Sequence, residues 1–484
     1  MQSNKTKGAN SLPYFPWLDF LMLYGLFFIL VFVFYYLPYP IRLITTFTLL
    51  FLFAISQRDY WWIALFFLIY TGPWGLFTEG TREATTGIPL LSFGPGLSFT
   101  FKQLFLIVAL AKAIYFKRKV ELIFKKQFIV LFIFFGLLIL LALIYGSPIG
   151  IILDDLKSAV FWGFIFAYPA LVRSRTHTYN FIHLILPTVI LVFFDAVFFL
   201  STGGQYIGEI IHTNISNLSL GFEVEIDYEL NKRFGIPGWH AVLLGFIISL
   251  PLAQIDKKHS FFYYAIASMA FLIVIISATR SWFVIFLLVL GYTLYRIKRF
   301  KTVLLLGTFF TMFYFLFLPQ FETSNIMFGG AFSRILTVFD ITEEGSLSSQ
   351  SIEYKVEGRL PQQLEYIAQN PLTGWGFTEK RGDMDVGVFG QLVEMGLIGF
   401  SIFVWLWYSF LSVTRGLSKN RNLPYAYRNL FAILWIGMIG LLVSHFTTNQ
   451  IFGITYYLVI ITMLFWLTDF FTREAKALML YENI

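Results

Sequence analysis

The residues of this chain best suited to chemistry are arginines and carboxylates gathered in and around one long polar stretch, residues 320–386. It carries Arg334, Gly358-Arg359 and Asp385, and Glu394 follows inside the next apolar run. A guanidinium presents a planar fork of donors that matches a phosphate or diphosphate bidentately. A carboxylate within reach of a hydroxyl can take its proton as that hydroxyl attacks. Arginines beside two carboxylates therefore suit recognition of a phosphate together with base catalysis toward a hydroxyl. The plainer alternative is that Glu353 or Glu357 simply pairs with Arg359.

Further cations stand at the edges of apolar runs. Arg280 sits in Ser277-Ala278-Thr279-Arg280-Ser281, between two apolar runs with almost no loop between them. Arg233 and His240 bracket Phe234-Gly235-Ile236-Pro237-Gly238-Trp239, a Gly/Pro-rich turn. Lys102 enters its apolar run as a point charge able to meet a phosphate. The plain reading of each is a snorkelling side chain or a structural turn. For Arg280 function is favoured, because the other basic residues cluster elsewhere; for Lys102 and for the Arg233–His240 turn the two readings balance. Asp154 and Asp155 read as partners of Lys157 on adjacent helical turns. His183, His212 and His445 read as singletons without a catalytic role.

Short elements must hold these groups. Leu360, Leu364 and Ile367 recur at helical spacing, Pro361 suits a first turn and Asn370-Pro371 ends the pattern, so residues 359–370 read as a helix. Arg359 then stands at a helix start, where a cation gains nothing from the macrodipole, and an anionic partner would explain it. Pro371-Leu372-Thr373-Gly374-Trp375-Gly376 reads as a turn, followed by Arg381-Gly382-Asp383-Met384-Asp385. The whole stretch carries ten acids against five bases.

Everything around it is apolar. Of 484 residues 57% are hydrophobic and only 13% charged, with a mean hydropathy of +0.72, against about a quarter charged in soluble proteins. Apolar runs of roughly 17–25 residues, each enough to span a bilayer, recur along the chain, whereas the alternating ten-residue pattern of an outer-membrane barrel is absent. The chain reads as an all-α polytopic membrane protein of about fourteen spans. These fall near 18–37, 41–56, 60–77, 97–115, 128–146, 151–171, 179–200, 237–255, 260–278, 280–296, 301–319, 387–413, 428–446 and 450–470. The organisation is then spans at 1–319 with a smaller loop at 201–236, the large loop at 320–386, and spans and a tail at 387–484. Clusters such as Lys117-Arg118-Lys119, Lys257-Lys258, Arg296–Lys301 and Arg415–Arg428 fall on one side if the spans alternate, and that side is the cytoplasm. Both termini are expected there and the acidic loops opposite. With no cysteine, disulfide and thiol chemistry are excluded, and no metal-ligand spacing of histidines occurs.

Arg280 on its short turn, the Gly358-Arg359 helix ending at Asn370-Pro371, the Gly374-x-Gly376 turn, and Asp385 followed by Glu394-x-Gly396-Leu397-Ile398-Gly399 together resemble the O-antigen ligase and polymerase superfamily. Arg233-x-Gly235 re-entering the membrane resembles it too. The resemblance implies a GT-C-like fold in the bacterial inner membrane and a periplasmic site. There, glycan is transferred from an undecaprenyl-diphosphate carrier with inversion, using no metal, nucleotide sugar or other cofactor. It implies Arg280 and Arg359 gripping the donor diphosphate, and with them Asp385 is expected to be catalytic. Arg233 and Glu394, together with Lys102, His240 and Arg334 singled out by charge and position, are expected to bind substrate. Partners would be the lipid-linked donor and acceptor, membrane lipids and, as a candidate, a chain-length regulator; no nucleic acid is expected. In many relatives a histidine followed by asparagine aligns with Asp385-Val386, and this departure favours a polymerase over a ligase. The alternatives are a ligase delivering glycan to lipid A-core or protein, and a lipid-linked sugar flippase. A transporter is disfavoured because polarity gathers at one face and not at the midplane.

Overall fold

The computed structural model describes residues 15–71, 91–92, 98–99, 101–116, 122–201, 239–276, 280–297, 354–378, 380, 387–447 and 455–482. Apolar helices make up nearly all of it: α1 (Trp17–Tyr36), α2 (Tyr39–Ile55), α3 (Asp59–Thr71), α4 (Phe101–Tyr115), α5 (Lys125–Ile144), α6 (Ile149–Ala159), α7 (Phe164–Leu171), α8 (Arg175–Ile185), α9 (Thr188–Ser201), α10 (Trp239–Ile255), α11 (Ser260–Ile276) and α12 (Arg280–Ile297) come first. After them stand α13 (Leu360–Gln369), α14 (Gly387–Lys419), α15 (Tyr425–Thr447) and α16 (Thr455–Glu482). A 3₁₀ turn, Val160–Gly163, joins α6 to α7 in one path. Leu186-Pro187 does the same for α8 and α9.

The expected apolar segments are helical over most of their described length, with breaks at Leu186-Pro187 and Gly396 and non-helical residues at some ends, and that at 301–319 lies outside the described residues. One start is corrected. Residues 98–99, expected to open a span, pair instead with 91–92 as a two-residue antiparallel ribbon, Leu91 opposite Phe99, and the helix begins at Phe101. By length and composition, four helical stretches among the described residues suffice to cross a membrane: Lys125–Ile144, Arg175–Phe198, Gly387–Lys419 and Tyr425–Val443. Eight shorter apolar helices accompany them. An all-helical bundle of this kind is compatible with a membrane protein.

Aromatic side chains fill the interior. Tyr168 stacks on Trp466 at 5.1 Å between ring centres, and Phe465 meets Phe410 at 4.7 Å and Phe124 at 4.9 Å. Lipid tails are as apolar as these rings, so such a bundle is held by close packing more than by removal from water. The α8–α9 stretch is 67% buried along its most apolar window, whereas α5 and α14 are each only 33% buried and turn most of their apolar surface outward.

Short connections alternate the helix directions, and polar cross-links identify one end. There Lys112 meets Asp59 at 2.6 Å, Arg175 meets Glu474 at 2.5 Å, and Asp469 accepts from the Ile123 amide at 3.0 Å. Asn429 bonds Gln254 at 2.7 Å, and Tyr425 donates to the Arg296 carbonyl. Lys125, Lys257, Arg296 and Arg415 all lie towards this basic end, as a common side for the positive clusters requires.

Candidate functional site

At the opposite end α14 is broken. Gly396 has φ 59° and ψ −170°, a conformation essentially confined to glycine, so Gly387–Met395 and Leu397–Lys419 are two helical segments and not one. The expectation of a single unbroken span over 387–413 is corrected accordingly. A helix break orphans carbonyls on one side and amides on the other. The turn Pro371–Gly376 satisfies both sets. The Trp375 and Gly376 amides donate to the Val393 and Glu394 carbonyls, each at 2.8 Å. In return the Leu397 and Ile398 amides donate to the Pro371 and Leu372 carbonyls at 2.9 and 3.0 Å.

The clamp requires backbone-to-backbone approach at both glycines. A Cβ on Gly396 would stand 2.4 Å from the Gly374 nitrogen and the Leu372 oxygen. One on Gly374, itself at φ 67°, would stand 2.5 Å from the Gly396 nitrogen. Asn370 completes the turn: its side-chain amide donates to the Gly374 carbonyl at 2.5 Å and to the Tyr145 hydroxyl at 2.8 Å, and its oxygen accepts from Thr373 at 3.0 Å. Trp375 donates from its indole to the Tyr366 carbonyl at 2.9 Å, and the Lys380 ammonium sits 3.7 Å over its ring. A Cβ on Gly376 would meet the Leu138 carbonyl of α5 at 3.3 Å. Leu138 lies about 9 Å along α5 from its end at Ile144, at 1.5 Å per residue. The polar stretch therefore does not merely cap the bundle; its last turn reaches down between α5 and α14. Non-helical backbone at that depth survives only when protein satisfies it.

The helix expected over 359–370 is α13, Leu360–Gln369, ending at Asn370 as read. Its start differs. A π-helical turn, Tyr354–Arg359, runs directly into it, and Arg359 itself is right-handed helical at φ −105° and ψ −40°. Arg359 thus occupies a junction inside a continuous helical path, so the argument that it opposes a free helix start does not hold. It is half-buried and engaged in contacts of its own. Glu394 is also half-buried and engaged, and its own carbonyl accepts from Gly376 in the clamp.

Lys102, His240 and Arg280 fall at the first or second residues of α4, α10 and α12. The far ends of those helices carry Lys112, Gln254 and Arg296, which belong to the basic cross-linked end. The three starts therefore share the end of the bundle where α13 and the α14 break lie. Their side chains, and the whole of Arg233, Arg334 and Asp385, lie outside the described residues.

One histidine set aside in the sequence reading also comes to this end. His445 of α15 is buried, and its Nε2 lies 2.7 Å from the Gln391 amide oxygen in the first segment of α14. Gln391 precedes Glu394 by one helical turn. Nothing in the spacing of a lone histidine pointed to this partner. Of the other two set aside, His183 lies in the cross-linked half, 2.6 Å from the Tyr263 hydroxyl, within a buried set that includes Asp256, and His212 lies outside the described residues. Among the described residues no group of three metal-ligating side chains occurs. No family model matches the chain, and no curated protein matches it.

Proposed function

We propose that the chain is a membrane-bound glycosyltransferase that polymerises oligosaccharide repeat units carried on undecaprenyl diphosphate, working at the periplasmic face of a bacterial inner membrane. The observation that carries the reading is the clamped break. It joins α13, with Arg359 at its head, to the segment of α14 bearing Glu394, at the end remote from the positive clusters. Two long substrates need such a rigid seat, because alignment supplies much of the rate.

In the proposed reaction the acceptor sugar hydroxyl attacks the anomeric carbon of the donor. Its proton passes to a carboxylate, assigned to Asp385. The bond from the anomeric carbon to the diphosphate oxygen breaks, with inversion, and the lipid diphosphate leaves. Arg280 and Arg359 hold the charge that develops on it. Lys102, Arg233, His240, Arg334 and Glu394 are assigned to binding the diphosphate and the sugars. Resemblance to the O-antigen ligase and polymerase superfamily supports the assignment through residue order and spacing.

The test is incubation of the purified chain in lipid vesicles with lipid-linked repeat unit as sole substrate. A ladder of lengthening products is expected. Reaction only after lipid A-core or protein is added would make the chain a ligase, and no transfer in either case would overturn the reading.

A further inference from the structure

The amphipathic pattern of α13 does not match the way it packs. Its apolar residues are Leu360, Leu364, Ile367 and Ala368, yet the residue it buries is Gln363, only 3% exposed, while Leu364 is 47% exposed. On a helical wheel the side facing the protein lies roughly a quarter turn from the centre of the apolar arc. The outward half of that arc, with Leu364 at its middle and Ala368 beside it, is exposed. Leu372, in the clamp that follows, is 61% exposed.

These residues continue a larger surface. Leu372 bonds through its carbonyl to Ile398, which is exposed on α14 beside Leu397. Asn370, at the end of α13, bonds Tyr145 at the end of α5, next to Ile144, 76% exposed, and Leu140. A band of exposed apolar side chains thus runs from α5 and α14 directly onto the clamp and α13. Lys380, over the Trp375 ring, and the half-exposed Tyr145 and Tyr366 lie along the same edge. Aromatic rings with a polar tip and a snorkelling lysine are the composition of a membrane–water boundary. The other arc of α13 carries Gln362, Glu365 and Gln369, as a helix lying in that boundary requires.

We propose that α13 is an interfacial helix: it lies in the leaflet at the end remote from the basic clusters, with Leu364 and Leu372 inserted among the acyl chains of bulk membrane phospholipid. Arg359, at its head, is thereby held at phosphate level. The inference rests on the reading of the apolar helices as membrane-embedded and not on the transferase assignment.

The absence of native cysteine allows a direct test. Single variants Leu364→Cys, Gln362→Cys and Leu140→Cys, each labelled with bimane, are reconstituted in phosphatidylethanolamine–phosphatidylglycerol vesicles containing phosphatidylcholine with a nitroxide at carbon five. Leu364 and Gln362 point about 160° apart on the helix, so the lipid quencher should darken the Leu364 label about twofold more than the Gln362 label, and aqueous iodide should reverse that order. The Leu140 label, on α5, must be quenched by lipid in every case; if it is not, the membrane reading itself fails. If Leu140 responds while Leu364 is reached by iodide as readily as Gln362, or is shielded from both quenchers, the interfacial helix is overturned.

Discussion

Gly396 is the residue whose replacement the structure tolerates least. A Cβ there adds a conformation closed to side chains, costing about 1–3 kcal/mol, to overlaps at 2.4 Å that would force the clamp apart. Each backbone bond lost adds about 1 kcal/mol. Gly396→Ala should therefore lower the melting temperature in detergent by many degrees and abolish transfer, whereas Gly416→Ala, with nothing within 4 Å of its Cβ position, should do neither. At the opposite end, Lys112 is buried with Asp59 at 2.6 Å and donates to the Phe53 and Ser56 carbonyls at 2.7 and 2.5 Å. Lys112→Met strands a buried carboxylate and should cost about 3–5 kcal/mol, most of it recovered in the double variant with Asp59→Asn. Thermal melts of the two variants decide this. Asp385→Asn should abolish polymer without shifting that melt. Arg280→Lys, which keeps the charge but loses the fork, should slow turnover about tenfold or more. Full activity in either would remove that residue from the proposed mechanism.

The turn Pro371–Gly376 shows how much of an element is written locally. Asn370-Pro371 as a helix stop and Gly374-Trp375-Gly376 as a turn were legible, because proline restricts the residue before it and glycine supplies positive φ. What the turn binds was not. Gly396 stands in a run of apolar residues with the pattern of an ordinary span, and a glycine within such a run is common in membrane helices. Only the approach of a segment some twenty residues earlier reveals the break. Asn370 joins this turn to α5 through Tyr145, so Asn370→Ala should loosen both at once. Proteolysis between α13 and α14 should quicken and transfer fall, while the Tyr145→Phe variant, which loses one bond and keeps the ring against Trp375, should show a smaller effect of the same sign.

Across the bundle the two ends differ in kind. One is tied by polar links between elements far apart in sequence: the partly exposed Arg175 with Glu474, the buried pair Lys112–Asp59, and Asp469 accepting from the Ile123 amide. At the other, the described connections between α13, α14 and α5 are mainly backbone bonds of the clamp and the bonds of Asn370. A cross-linked base and a clamp-bearing opposite end suit the proposed transferase, which must admit long substrates from one side. The positive-inside rule then predicts which side each end faces. In intact cells a membrane-impermeant maleimide should label Ser147→Cys, in the turn after α5, and should leave Asn420→Cys, between α14 and α15, unlabelled until the membrane is permeabilised. The reverse pattern would invert the topology and exclude a periplasmic site.

Among the described residues, the sequence by itself determined that the apolar segments are helical, that Lys125, Lys257, Arg296 and Arg415 share one end, and that a short helix stands at 360–369, because these depend on hydropathy over a window, on charge and on residues adjacent in the chain. Only the tertiary structure decided that α14 is two segments, that the polar stretch reaches between α5 and α14, that α13 turns Gln363 inward and Leu364 outward, and that His445 partners Gln391. Each of those depends on which surface a distant segment presents, and orphaned backbone groups at a helix break are satisfied by geometry that no local pattern encodes.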